Sequence, residues 1–186
     1  MATITATQAR YIGNSRGGAA HFEGGTGLGG IQVAASQTFA AGDPVRPDAT
    51  SGQIETAITG SDQNAVASLY GQAMEAASAT TGDPVYVRRF RPGDKFVMNL
   101  ESNGAGVATA LAQKGDAVNF NILATTGKIV ADVLPGGSGA IDTKPFGIIL
   151  DIYCTAYGYA DGDVLGDTNG RVIVELGDSM HLGESV

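Results

Sequence analysis

Two histidines, His21 and His181, and one cysteine, Cys154, are the whole supply of imidazole and thiol in this 186-residue chain. A Ser-His-Asp relay needs an imidazole between nucleophile and carboxylate; here one lies in a glycine-rich stretch and the other near the end. The lone cysteine excludes an intrachain disulfide framework and a cysteine-cluster zinc site. Gly25-Thr26-Gly27-Leu28-Gly29-Gly30 matches the dinucleotide string, but His21-Phe22-Glu23 is a poor strand before it, and Gly42-Asp43-Pro44 follows too soon for a helix. Gly127-Lys128 lacks the hydroxyl residue after the lysine and the earlier glycine of a phosphate loop. The run from Asp161 to Gly170 imitates a calcium loop, yet Leu165 and Val172 stand where an EF-hand needs oxygen ligands, so 161–169 reads as a tight acidic turn. Gly136-Gly137-Ser138-Gly139-Ala140 lacks the last glycine of a nucleophile elbow. No carboxylate pair stands apart from the turn aspartates. These residues predict a non-enzyme with no cofactor and no metal.

The chemistry that remains is recognition. Arg88, Arg89, Arg91 and Lys95 place four of the eleven cations within eight residues, interleaved with Tyr86 and Phe90. Arginine among aromatics is enriched at interface anchors, and it also guards an exposed edge strand; both readings fit. In strand alternation Arg89 and Arg91 share a face with Val85 and Val87, and Arg88 shares the other with Tyr86 and Phe90. Residues 1–30 hold eight glycines with Tyr11, His21 and Phe22 among them. So little side chain predicts a segment that is either floppy or ordered by lying across a neighbour. Tyr11, His21, Phe22, Arg88, Arg89, Arg91 and Lys95 are therefore the candidate contact residues.

Charge is unevenly placed. Residues 1–100 carry 7 Lys/Arg against 8 Asp/Glu, and residues 101–186 carry 4 against 11. A net charge of −8 argues against nucleic acid as a partner, because that interface needs clustered cations. No 18-residue apolar span predicts a membrane helix, and Ala2-Thr3-Ile4-Thr5 begins no signal peptide.

The elements that must position these residues read as strands. Val and Ile (26 together) outnumber Leu (10), a mixture that suits a pleated sheet better than a helix. Runs bounded by Gly, Asp, Asn or Pro predict strands at Val85–Phe90, Lys95–Leu100, Val118–Leu123, Lys128–Leu134, Phe146–Cys154 and Arg171–Leu176. Ser61–Ser78 is the one helix candidate, and Gly71 interrupts it. Seven Gly-Asp dipeptides punctuate the chain, at 42, 82, 93, 115, 162, 166 and 177. After Gly42 come Thr50-Ser51-Gly52-Gln53-Ile54 and Leu69-Tyr70-Gly71; after Gly115 come Thr125-Thr126-Gly127-Lys128-Ile129 and Pro145-Phe146-Gly147. That register predicts two internally repeated β-units and converts Leu69–Glu75 from helix to strand. The expected organisation is an N-terminal arm (1–37), a first unit (38–102), a linker (103–110), a second unit (111–178) and a tail (179–186).

The segments Phe39–Val45, Ala49–Ile54, Ala67–Ala73 and Thr80–Val87 resemble the head-decoration (cement) proteins of tailed bacteriophages. The shared features are a Gly-acid turn into a strand, a Ser/Thr-Gly turn, a strand around Gly71, and a further Gly-Asp turn. The resemblance covers 38–100 and, through the second copy, 111–178; two units and a long arm depart from the single-unit pattern. It implies an all-β fold, a small barrel or tulip-like sandwich preceded by the extended arm. It also implies a virion protein, made in the host cytoplasm, that docks on the outer capsid surface as an oligomer, with a homotrimer favoured. The implied partner is the major capsid protein, contacted by the arm and the arginine cluster. Removing residues 1–30 is then expected to spare the β core and weaken attachment. A carbohydrate- or receptor-binding β module is the other reading, with Tyr153, Tyr157 and Tyr159 as its aromatic cluster.

Overall fold

Short β-branched runs broken by glycine turns produce short strands. The computed structural model describes residues 9–24, 31–48, 50–57, 70–77, 82–100, 114–122, 129–133, 147–152 and 170–177. These residues contain eleven strands and no helix: β1 (Arg10–Asn14), β2 (Phe22–Glu23), β3 (Pro44–Pro47), β4 (Ile54–Thr56), β5 (Gly71–Ala73), β6 (Val87–Arg89), β7 (Asp94–Asn99), β8 (Ala117–Ile122), β9 (Ile129–Val133), β10 (Gly147–Asp151) and β11 (Arg171–Leu176). All six strands expected from composition are present, five with shifted ends and Arg171–Leu176 with its ends unchanged, and β5 lies inside the segment moved from helix to strand.

Two antiparallel sheets result. One has the order β1-β7-β11-β10-β8-β9, the other β2-β6-β5-β3-β4. β7, grouped by sequence with the first unit, is hydrogen-bonded to β11 from Arg171↔Asn99 to Glu175↔Lys95. The described residues of segment 1–37 are divided between the sheets. They supply β1 against β7, β2 against β6, and Val33, which bridges to Ile54.

The two Gly-Asp entries have the same local geometry. Gly42 and Gly115 sit at φ +89° and +95°, where glycine carries no Cβ penalty. Gly42 N–H donates to Ala73 O (2.7 Å) and Ala73 N–H to Asp43 O (2.9 Å). In the other sheet Gly115 N–H donates to Ile149 O (2.8 Å) and Ile149 N–H to Asp116 O (2.9 Å). Gly71 opposes Val45, and Gly147 opposes Val118. A Cβ at Gly71 would lie 2.2 Å from Arg88 O, and one at Gly147 would lie 2.3 Å from Glu175 O. The Ser-Gly turn is closed by Asp48, whose Oδ1 accepts from the N–H groups of Ser51 (2.6 Å) and Thr50 (3.0 Å). Those bonds, led by Ser51, hold its carboxyl below the usual aspartate value.

Each sheet encloses its own apolar cluster. Val33, Val45, Ile54, Ala73, Val85 and Val87 fill one. Leu100, Val118, Ala131, Ile149, Val172 and Val174 fill the other, together with Phe96 and Met98. Phe90 leaves the end of β6 and enters the second cluster, edge-on to Phe96 with ring centroids 5.4 Å apart.

Candidate interaction surface

Alternation along β6 sends neighbouring arginines to opposite faces, and the sheets decide what each one meets. Arg88 turns toward the six-stranded sheet. Its Cζ lies 4.9 Å from the centre of the Tyr11 ring and 5.6 Å from that of Phe96, within cation–π range. Its Nη2 donates to Gln72 Oε1, and Gln72 Nε2 donates to Ala9 O (2.8 Å). Gln72 is only 1% exposed, so this chain satisfies an amide that would otherwise be costly to bury. Burial pulls the Arg88 guanidinium below its ordinary value, against the charge of Asp94 and of Tyr11. Tyr11 packs edge-on to Phe96 at 5.7 Å. Burial and Asp94 push its phenol up, and the charges of Arg88 and Arg91 oppose them.

Arg89 faces the other way and meets a different set. Its Nη1 donates to Glu23 Oε1 (3.0 Å), and its Cζ stands 5.0 Å from the Tyr70 ring centre. Glu23 Oε1 is also 2.8 Å from His21 Nε2, and Glu23 Oε2 accepts from the Tyr70 hydroxyl. Burial alone would raise the Glu23 carboxyl; the bonds from Arg89 and His21 outweigh it and hold the group below its ordinary value.

The remaining candidates lie apart. Arg91 is exposed in the turn before β7, where its N–H donates to Asp94 Oδ2 (2.9 Å). Lys95 is opposite Gly13 on one side and Glu175 on the other. Phe22 is 52% exposed on β2. Met74, just after β5, and Tyr86, just before β6, are also large, apolar and exposed, and Met74 N–H donates to Tyr86 O (2.9 Å). The structure thus brings Tyr11 to Arg88 and His21 to Arg89, and spreads the cationic run over both faces of β6, a turn and β7. Alternation holds through β6 to Phe90, which faces Phe96 as Arg88 does and is buried in the other sheet's core; it is lost at Arg91, in the turn. Tyr153, Tyr157, Tyr159 and the 161–169 turn lie outside the described residues.

Four residues that matter here carried no motif. Glu23 and Tyr70 complete the Arg89 cluster, and Gln72 and Asp94 complete the Arg88 side. Gln72 had one signal, a lone amide in an apolar run; Asp94 was one more Gly-Asp aspartate. Asp94 is 3% exposed and accepts from Asn14 Nδ2 (2.8 Å). Burial raises its carboxyl, and the hydrogen bonds from Asn14 and Arg91 only partly offset that. Because Ala9 is 4% exposed and Tyr11 packs on the core, deleting residues 1–30 would strip core side chains along with any contact segment.

Among the described residues no three His, Cys, Asp or Glu side chains gather as a metal site, and no helix is long and apolar enough to cross a membrane. Compared with known proteins, the sequence matches no family model and no curated protein.

Proposed function

We propose that this chain is a structural virion protein that binds the outer surface of an assembled phage capsid and bridges its capsomers. Its partner in this reading is the major capsid protein, and its working form is a homotrimer. The observation that carries the reading is the strand order β6-β5-β3-β4 in one sheet and β11-β10-β8-β9 in the other, each entered through a Gly-Asp turn. The first run carries the turns and strands on which the resemblance to cement proteins rests, and the second supports a copy of it through its Gly115 entry and its strand at Gly147. In this reading the chain is two copies of one β-unit. Each copy is taken as a small barrel, a reading supported by the parallel bridges Val33↔Ile54 and Leu100↔Ala131, with the glycine-rich N-terminal segment contributing contacts.

The mechanism is linkage. A protein that binds only the assembled lattice shifts that state's stability by mass action, and many symmetric copies add avidity without a tight single site. Phe22, Tyr86 and Arg91, all exposed, are the contact residues this reading favours; Arg88 and Arg89 already serve internal partners. Co-sedimentation of the purified chain with assembled heads, against unassembled capsid protein, tests the proposal. Saturable binding to heads alone is expected, and weaker binding by Phe22→Ser and, at low salt, by Arg91→Glu. No binding to heads, with specific signal on a glycan array, would replace this reading by the carbohydrate-binding one.

A further inference from the structure

β1 and β2 are both N-terminal strands on sheet edges, but different forces hold them. β1 is held by burial: Ala9 and Tyr11 join the six-stranded core, and Ile12 packs with Val97 and Ile173 on the opposite face. β2 buries almost nothing. Phe22 is half exposed, and no residue of His21–Gly24 belongs to any apolar cluster. Two ladder pairs, Phe22↔Arg88 and Glu23↔Val87, and the Arg89 N–H bond to His21 O (3.0 Å) attach its backbone. One carboxylate attaches its side chains, because Glu23 meets Arg89, Tyr70 and His21 at once.

We propose that His21–Gly24 is a releasable strap, which leaves β6 as a unit while both apolar cores stay folded, with the Glu23 carboxylate as its clasp. Segments with few buried apolar contacts open below the global unfolding free energy, and this one has hinges on both sides. Gly17 and Gly18 precede it at φ +80° and +99°, within an exposed run, and Gly24 ends it at φ +127°. Release bares backbone groups of β6 that pair with an extended strand. The titratable or charged groups facing Glu23 are His21 on its own segment, Arg89 on β6 and Tyr70 before β5. Neutralising the carboxyl removes the ion pair to Arg89, so acid opens the clasp, at a pH below the ordinary glutamate range; protonated His21 tightens it. The inference does not depend on the capsid reading.

Site-resolved hydrogen exchange on the full chain tests it, with the Arg89 amide reporting the strap and the Ile149 amide reporting the six-stranded core. The Arg89 amide is expected to exchange at least about tenfold faster than Ile149, as a locally opening segment does. Glu23→Gln should speed Arg89 several-fold and Ile149 by no more than the same factor, so that the gap between the two amides persists. Gly24→Ala should do the same without touching the clasp, because its Cβ would fall 2.1 Å from Val85 O. If Arg89 and Ile149 exchange at one rate and move together in both variants, β2 opens only with the whole molecule and the proposal fails. If Gly24→Ala frees Arg89 and Glu23→Gln does not, the strap stands and the carboxylate is not its clasp.

Discussion

Four strands of each sheet, β6-β5-β3-β4 and β11-β10-β8-β9, pair in the same order, and the two sheets are filled differently. Val87 and Val174 occupy matched places, each buried in its own cluster. Opposite Val174 stands Phe96; opposite Val87 stands Glu23. At one site, then, an aromatic ring gathers Tyr11 and Phe90 into a core, and at the other a carboxylate gathers Arg89, Tyr70 and His21 at an edge. The difference shows that glycine-set ladder geometry tolerates either solution. It also accounts for the N-terminal strands: the sheet with the larger side chains draws β1 in by burial, and the sheet built on valine and alanine holds β2 by charge and hydrogen bonds.

The sharpest way to break this contrast is to truncate its two members. Phe96→Ala should cost about 3–5 kcal/mol, as removal of a buried ring does. Glu23→Ala should cost only about 1 kcal/mol, the scale of a partly exposed hydrogen-bonded pair. Chemical denaturation of both variants checks this, and equal losses would mean that β2 is as integral as β7. Next come Gly71→Ala and Gly147→Ala, each expected to lose about 1–3 kcal/mol from overpacking against the next strand's carbonyl. Their losses should agree closely; a tolerated substitution at one would end the matching of the sheets there. Arg88→Met should cost about 1–3 kcal/mol, because it strands the Gln72 carbonyl oxygen, and Arg88→Lys should not restore the loss, since a lysine lacks the planar fork.

The smallest effects concern pH, and they have opposite signs. Glu23 is depressed in the fold, so its contribution is present above the ordinary glutamate pKa and fades as pH falls through the lowered folded value. Asp94 is raised, so the fold binds its proton more tightly than the unfolded chain does, and falling pH through that higher window favours folding. Thermal melts across the acid range should therefore show Glu23→Gln flattening the acid loss. Asp94→Asn should remove a stabilising trend on mild acidification. Identical profiles for the two variants would show that neither carboxyl is coupled to folding.

Local chemistry made much of the fold legible. The strand at Arg171–Leu176 needed only β-branched residues between glycines, and the turns at Gly42 and Gly115 needed only a residue indifferent to positive φ. Register was harder. The turn strings align Ile54 with Ile129, yet the bridges from Val33 and Leu100 make Ile54 the counterpart of Ala131, because the second hairpin ladder runs out to Ile122↔Ile129 before turning. Turn spacing does not report how many rungs a ladder contains.

The candidate surface was legible only as residue types. That arginines and aromatics near 88–95 and 11–22 belong together followed from composition and spacing. Which arginine meets which ring did not, since Tyr11 and Arg88 are distant in sequence and meet only because Arg88 on β6 reaches the Tyr11 and Phe96 rings of the six-stranded sheet. The sequence by itself determined the all-β class, the positions of β5 to β11 and the glycine turns, all of which depend on neighbours a few residues away, whereas β1 and β2 fall in the stretch read as an arm. Tertiary structure alone decided that Arg88 is sequestered, that Arg89 and His21 hold the Glu23 carboxyl below its ordinary value, and that burial raises that of Asp94. Burial and charge partners are properties of where strands pack, and strand order is settled by contacts that no local run of residues contains.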